Sequence, residues 1–130
     1  MDEARLRGER GLAEAIEECL GDWSPRSGVA VEIWALPSVE VPAPVAAGVL
    51  AALREALALV ERASHARTVS VAVTVSGAGL RMTVSDDGTG QPWDVTELRA
   101  RFAALGGRVS VNHVPGHGTT VSGVIPSARR

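Results

Sequence analysis

The sequence is 130 residues long, enough for one domain with its own core and too short for two of ordinary size. The formal charge of −2, with no basic stripe, excludes a typical nucleic-acid-binding surface, and the single cysteine, Cys19, excludes an internal disulfide. The acidic N-terminus does not suit a signal peptide, and prolines break the longest apolar stretch. We therefore expect a cytoplasmic protein without membrane insertion.

The N-terminal segment predicts an amphipathic helix over residues 3–20. Its apolar residues at helical spacing are Leu12, Ile16, Cys19 and Leu20. We expect Gly21 to end this helix and GDWSPRSG to form a turn-rich linker. The apolar face has two open interpretations: it packs on the rest of the domain, or it pairs with a second copy in a homodimer.

The middle of the chain predicts a strand and then the longest helix. VAVEIW (29–34) alternates as a strand does, and the three prolines of PSVEVPAP favour an extended connector. From Val45 to about His65 the chain is rich in Ala, Leu and Glu. The residues spaced for the buried face of this helix are Val49, Leu53, Leu57 and Val60.

The second half predicts four strands and one helix. TVSVAVTV (68–75) alternates strictly and forms a hairpin with LRMTV (80–84). We expect Asp94 to be the N-cap of the next helix with Glu97 in a capping box, and Gly106-Gly107 to end that helix. RVSVNH and TTVSGVI supply two last strands around PGHG.

This order of elements predicts an α+β fold. We expect a two-layer sandwich in which one mixed, mostly antiparallel sheet carries the helices on one face. Residues 28–126 are expected to form this domain, after an N-terminal helix and linker over 1–27 and before a frayed tail over 127–130.

One short stretch, VSDDGTG at residues 84–90, suggests a ligand site. A carboxylate at a strand end, here Asp86, can accept a hydrogen bond from the exocyclic amine of adenine, and a charged acceptor makes a stronger bond. Gly88 and Gly90 allow the backbone to turn sharply and to approach a ligand closely. Asp-Gly is also a common turn dipeptide, so the motif alone fits a plain turn as well.

The neighbouring motifs favour the ligand site. REALALVERA lies on the long helix before DDGTG, and LRARFAALGGRVSV and PGHGTTVSGVIP follow in order. Together they resemble the ATP-binding domain of sensor histidine kinases, in the branch that shares its fold with gyrase, Hsp90 and MutL. The nitrate-sensor and DesK-like kinases are the most similar subfamily. The resemblance covers about residues 28–126 and implies the histidine-kinase-like ATPase fold.

The resemblance implies a role for each matching residue. Asp86 corresponds to the carboxylate that reads adenine, and Gly88 and Gly90 to the turn glycines. Thr119 corresponds to the residue whose hydroxyl supports that carboxylate from a neighbouring strand. Glu55 corresponds to the acidic residue of the helical motif, which in an active relative could act as a general base.

Three features depart from the family pattern. Leu59 occupies the position of the Asn that holds Mg²⁺ in the family, and a leucine offers no oxygen to this cation. Gln91-Pro92-Trp93 replaces the glycine-rich lid over the phosphates, and Trp93 is large enough to fill space beside the pocket. The helix over residues 3–20 contains no phosphoacceptor histidine. We therefore expect no catalytic activity, no bound Mg²⁺ and at most weak binding of ATP or ADP.

The other chemically active side chains have structural interpretations. Cys19 is expected to be a small buried hydrophobe, and His65 to interact with the dipole at a helix C-terminus. His113 and His117 lie four residues apart but lack a third ligand for zinc. Asp87 occupies a position that varies between Asp and Asn in the family.

Three functions remain open. The first is a degenerate, pseudokinase-like domain that acts through a protein partner in a two-component signalling pathway. The second is a catalytic ATP-binding domain that phosphorylates a partner in trans, on histidine or, as anti-sigma-factor kinases do, on serine. The third is a binder of adenosine or another ring without phosphate. The missing parts all belong to the phosphate half of the site, so the sequence favours a non-catalytic role.

Overall fold

The computed structural model describes residues 11–63 and 65–127. In this part of the chain the helices and strands follow the predicted order. They are α1 (Gly11–Ser27), β1 (Ala30–Ala35), α2 (Ala43–Ala63), β2 (Thr68–Ser76), β3 (Gly79–Asp86), α3 (Thr96–Ala104), β4 (Arg108–Val114) and β5 (Gly118–Pro126). The boundaries of α2 differ from the prediction by two residues at each end, and His65 lies beyond the helix with a φ of 53°.

The strands form one sheet in the order β1-β2-β3-β5-β4. β1 runs parallel to β2, and every other neighbouring pair is antiparallel. The predicted mixed, mostly antiparallel sheet and the α+β fold class are therefore confirmed.

The core lies between the helices and one face of the sheet. Strand residues that point to this face are buried, whereas the alternate residues are more exposed. The largest fully buried side chains on β2, β3 and α2 are Val69, Val71, Val73, Met82, Val84, Val49, Leu53, Leu57 and Val60. Phe102 of α3 packs directly over Gly123 of β5, where an added Cβ would overlap the Phe102 ring. This close approach brings α3 down onto the sheet.

Helix α1 does not end at Gly21, so the prediction of a linker over GDWSPRSG is wrong. The helix continues to Ser27, with Pro25 inside it, and buries Trp23 to 4% exposure. Burial of this large side chain outweighs the local stop signals of glycine and proline. The residue that ends the helix is instead Gly28, whose φ is +79° and whose N–H donates to the carbonyl of Ser24.

The apolar face of α1 packs into the same core as the other helices, which is the first of the two interpretations given above. Its buried residues are Leu12, Ile16, Leu20 and Trp23. Cys19 is half-buried rather than fully buried, and burial raises the pKa of its thiol while Arg54 opposes that shift. Residues 3–10 of the predicted helix lie outside the described residues. A homodimer through residues 3–20 and a domain boundary at residue 27 stay predictions.

Helix α3 begins one residue later than the predicted cap implies. Val95 occupies the N-cap position without a side-chain cap bond, so the predicted capping box of Asp94 and Glu97 is wrong. Asp94 lies one residue before this N-cap. Its Oδ1 accepts hydrogen bonds from the backbone N–H and the hydroxyl of Thr96, at 3.1 and 2.8 Å. These two bonds lower the pKa of the exposed Asp94 carboxyl.

The end of α3 matches the prediction. Gly106 has a φ of +82°, its N–H donates to the carbonyl of Ala103, and the N–H of Gly107 donates to that of Phe102 at 2.7 Å. This pair of bonds is a Schellman motif, which satisfies the last carbonyl groups of the helix.

One helix in the described part of the chain, Ala43–Arg62 within α2, is long and apolar enough by length and composition to cross a membrane. The core helix of a folded domain meets the same criterion, and 56% of the most apolar window of this helix is buried inside the fold. The absence of membrane insertion stays a prediction.

Candidate functional site

The candidate site is centred on Asp86, the last residue of β3. Its side chain is 6% exposed, and it faces Thr119 of β5 in the strand register. Oδ1 accepts hydrogen bonds from the N–H groups of Gly88 and Thr119, at 2.9 and 3.3 Å. Oδ2 is buried and has no hydrogen-bond partner among the described residues. A buried carboxylate oxygen without a partner is costly, so this atom marks a point where a ligand N–H would be favoured.

Two glycines fix the backbone around this carboxylate. Gly88 is buried, and its N–H closes the turn that follows β3. Gly118 has a φ of +133°, and a Cβ there would overlap the backbone carbonyl oxygen of Asp86. The missing side chain at Gly118 lets β5 approach the end of β3, which places the Thr119 N–H on the carboxylate. Gly90, the other predicted glycine, is half-buried in the segment after the turn.

Thr119 contacts the carboxylate in a different way from the one that the resemblance implies. Its backbone N–H makes the contact with Asp86, whereas its hydroxyl pairs with Nδ1 of His113 at 2.9 Å. His113 lies opposite Thr119 in the β4–β5 register. From the sequence alone, zinc binding is the one role that we consider for His113, because its pairing with Thr119 depends on the strand register.

Asp87 has a structural role next to the site. Its Oδ1 accepts hydrogen bonds from the N–H groups of Arg67 and Thr68, at 2.9 and 3.1 Å. Its own N–H donates to the carbonyl of Thr68 at 3.3 Å. Asp87 therefore ties the end of β3 to the start of β2, whereas the side chain of Asp86 is buried and bonded to Gly88 and Thr119.

From this role of Asp87 we predict how two substitutions, Asp87→Ala and Asp87→Asn, change the free energy of unfolding. Asp87→Ala removes the acceptor for two backbone N–H groups, and we expect it to lower the free energy of unfolding by about 1–2 kcal/mol. Asp87→Asn retains a side-chain oxygen and should stay within about 0.5 kcal/mol of the wild type. Urea-induced unfolding of the variants measures both values. Equal losses for the two variants would show that the charge, and not the acceptor, stabilises this junction.

Two residues that the resemblance singles out lie on α2: Leu59, at the position of the Mg²⁺-binding Asn, and Glu55, the acidic residue of the helical motif. Leu59 is 4% exposed and belongs to the apolar core, and Glu55 lies one turn before it, half-buried. In residues 11–63 and 65–127 no group of three or more His, Cys, Asp or Glu side chains could hold a metal ion. An apolar side chain cannot replace an oxygen ligand, so the residues present do not fit Mg²⁺.

The segment between β3 and α3, residues 87–95, has no regular secondary structure. Gln91 and Pro92 are exposed, whereas Trp93 is 6% exposed and belongs to the apolar core. The indole N–H of Trp93 is buried without a partner in the described structure. A large side chain thus anchors the segment where the family carries its glycine-rich lid.

The fold and the strand-end carboxylate define the class of the domain: it has the histidine-kinase-like ATPase fold and resembles the ATP-binding domains of sensor histidine kinases. No family model matches the sequence. Among curated proteins, the sensor histidine kinase LiaS of Bacillus subtilis is 26% identical over 125 residues, which cover 90% of this chain and 34% of LiaS. The chain therefore spans about a third of the length of this relative.

Solved structures show the same likeness. The blue-light activated histidine kinase of Erythrobacter litoralis EL346 matches with a TM-score of 0.74 and 26% identity, over 88% of this chain and 41% of the kinase. The ATP binding domain of PrrB from Mycobacterium tuberculosis matches with a TM-score of 0.68 and 18% identity, over 91% of this chain and 95% of that domain. The PrrB likeness concerns the fold alone. The predicted resemblance to histidine-kinase ATP-binding domains and the predicted fold are confirmed.

Proposed function

We propose that this domain is a degenerate histidine-kinase-like domain that keeps a pocket for a heteroaromatic base and does not transfer phosphate. The observation that carries the proposal is the buried, unpartnered Oδ2 of Asp86, held in place by two backbone N–H groups on Oδ1. A ring amine that donates to Oδ2 would satisfy this oxygen. In this proposal Asp86, Gly88, Gly90 and Thr119 form the base pocket.

The phosphate half of the site supports the non-catalytic part of the proposal. Leu59 supplies no ligand for Mg²⁺. Glu55 could act as a general base beside a bound metal ion, and in this proposal that metal ion is missing. Trp93 fixes the segment that would have to close over the phosphates. Any nucleotide would therefore be held through its base, weakly and without Mg²⁺.

A domain of this kind acts through its contacts with other proteins. We place it in a two-component-type signalling pathway in the cytoplasm, with a protein partner and without nucleic-acid contact or membrane insertion. The fold likeness to sensor histidine kinases supports the pathway. A bound ring would stabilise the end of β3 and so favour one conformation of the surface presented to the partner.

Calorimetric titration with adenosine, ADP and ATP tests the proposal. We expect weak binding whose affinity changes by less than about twofold when Mg²⁺ is added, because no metal ligand is formed. Asp86→Asn should weaken binding by roughly tenfold or more, since a hydrogen bond to a charged group is lost. The control is Asp87→Asn, which changes a carboxylate of the same turn and should leave the affinity unchanged.

Two results would contradict this proposal. Binding of ATP that requires Mg²⁺ would favour the alternative, a catalytic domain that phosphorylates a partner in trans. Absence of any binding, in a protein that unfolds cooperatively, would mean that the domain acts through protein contacts alone and that the base pocket has no ligand of this class.

A further inference from the structure

The exposed large apolar side chains concentrate at one edge of the sheet. In the described part of the chain they are Ile33, Trp34, Val39 and Val114. Three of the four lie within residues 33–39, on the edge strand β1 and the connector after it. Trp34 is 66% exposed, whereas the other two tryptophans, Trp23 and Trp93, are buried. Tryptophan is enriched among the residues that dominate protein interfaces, so an exposed one on an edge strand indicates a contact surface.

An irregularity in β1 accompanies the exposure of Trp34. Ile33 and Ala35 pair with consecutive residues of β2, so Trp34 is left out of the pairing, and an extra residue of this kind re-aims a side chain. The residues on either side of Ser70 in β2 are buried in the core, so Ser70 lies on the sheet face away from the helices. Glu32 accepts a hydrogen bond from Ser70, and Trp34 donates to Glu32. Both side chains therefore lie on this open face of the sheet.

Glu32 holds the Trp34 ring in one orientation. The indole N–H donates to Oε1 of Glu32 at 3.2 Å, and the hydroxyl of Ser70 donates to the same oxygen at 3.4 Å. The one polar group of the indole is thus satisfied within the chain, while the apolar ring stays exposed to solvent. A side chain that is already held in place loses less conformational entropy when a partner binds to it. Both bonds go to Oε1, so neither of them uses the lone pairs of Oε2.

The charges around Trp34 determine which partner group fits. Glu32 is the only charged residue within β1 and β2. The arginines that are exposed on the same face, Arg81 and Arg108, lie on β3 and β4, farther across the sheet. The face of an indole ring attracts a cation, and so does the carboxylate beside it. A guanidinium group can do both at once, because it is planar, stacks on aromatic rings and bonds to carboxylates through two N–H groups.

We propose that Trp34 and Glu32 form a docking site for a protein partner that presents an arginine flanked by apolar residues. The guanidinium group stacks on the Trp34 ring and pairs with the Glu32 carboxylate, and a flanking apolar residue contacts the exposed Ile33 at the sheet edge. The inference goes beyond the function proposed above, because β2 separates β1 from the strand that carries Asp86. It requires neither nucleotide nor metal.

Titration of the ¹⁵N-labelled protein with a short peptide, acetyl-Leu-Arg-Val-Arg-Leu-amide, tests the inference by NMR. Each tryptophan gives one indole N–H signal, and Trp34→Phe identifies the signal of Trp34. We expect the peptide to shift this signal and to leave those of the buried Trp23 and Trp93 in place. The same peptide with citrulline for arginine keeps the planar group without its charge, and it should bind roughly threefold to tenfold more weakly. A lysine peptide should also bind more weakly than the arginine peptide.

Three variants separate the contributions of the ring and the carboxylate. Glu32→Gln keeps an oxygen that accepts from the indole but removes the charge, so it should weaken binding of the arginine peptide by roughly threefold. Trp34→Leu keeps an apolar side chain without the ring, and it should weaken binding by a similar factor, measured on backbone N–H signals of β1. The control is Glu61→Gln, which removes an exposed carboxylate from α2 and should leave the affinity unchanged. Urea-induced unfolding of each variant shows that the domain is folded.

Four results would overturn the inference. Equal affinity for the arginine and citrulline peptides, or an affinity that Glu32→Gln does not change, would show that no cation is recognised. A lysine peptide that binds as tightly as the arginine peptide would contradict the assignment to arginine. A Trp34 signal that shifts with protein concentration alone, together with a dimer mass in light scattering, would show that a second copy covers this surface. None of these results depends on nucleoside binding, so each leaves the base pocket at Asp86 to its own test.

Discussion

Replacing Gly118 with alanine is expected to lower the free energy of unfolding by about 3 kcal/mol or more. The φ of +133° at this position strains any residue with a side chain, and the added Cβ would overlap the Asp86 carbonyl oxygen. Because the overlap involves backbone atoms, only a separation of β5 from the end of β3 can relieve it. That movement would withdraw the Thr119 N–H from the carboxylate, so base binding should be lost as well. Urea-induced unfolding and nucleoside titration measure the two effects.

Gly116 in the same turn offers a matched control. Its φ is +81°, and a Cβ there would meet nothing within 4 Å. Gly116→Ala therefore carries the strain of the left-handed conformation without the overlap, and should cost about 1–2 kcal/mol. If the two substitutions were equally destabilising, close contact between β5 and Asp86 would not be the reason for glycine at position 118.

The fold could be predicted where periodicity and local signals agree. The strict alternation of β2 and the glycine pair after α3 each determine structure within a few residues of themselves. The end of α1 could not be predicted in this way. Gly21 and Pro25 are local signals for a helix end, but the burial of Trp23 outweighs them. Burial of that kind depends on the packing of the whole domain, which local sequence patterns do not contain.

Of the candidate site, only the turn formed by residues close together in the sequence could be predicted. Gly88 follows Asp86 by two residues and is predicted to lie in the turn. In the structure it does, and its N–H donates a hydrogen bond to Oδ1 of Asp86. The contact of the Thr119 N–H with Asp86 and the partner of the Thr119 hydroxyl depend on strand register, which brings together residues 33 and 6 positions apart. No local pattern indicates that Oδ2 of Asp86 lacks a partner. The ligand site proposed at Asp86 therefore depends on contacts that only the folded chain reveals.

Restoring the family's asparagine at position 59 should destabilise the domain without restoring a metal site. Leu59 is 4% exposed and packs in the apolar core, so Leu59→Asn loses apolar contacts and buries an amide without partners. We expect a loss of about 3 kcal/mol in urea-induced unfolding. The control Leu59→Met retains the volume and should cost less than about 1.5 kcal/mol.

The same variant tests the proposal that the domain lacks the phosphate half of a kinase site. Mg²⁺ binds through several oxygen ligands, and in nucleotide sites many of them come from phosphates that the protein must hold. A single amide at position 59 does not bind the phosphates. The side chain of Trp93 would still be buried in the core and would anchor the segment over residues 87–95. Titration of Leu59→Asn with ATP should therefore give the same affinity with and without Mg²⁺. A gain of roughly tenfold that requires Mg²⁺ would show a kinase-type site one substitution away from function, and would contradict the degenerate role.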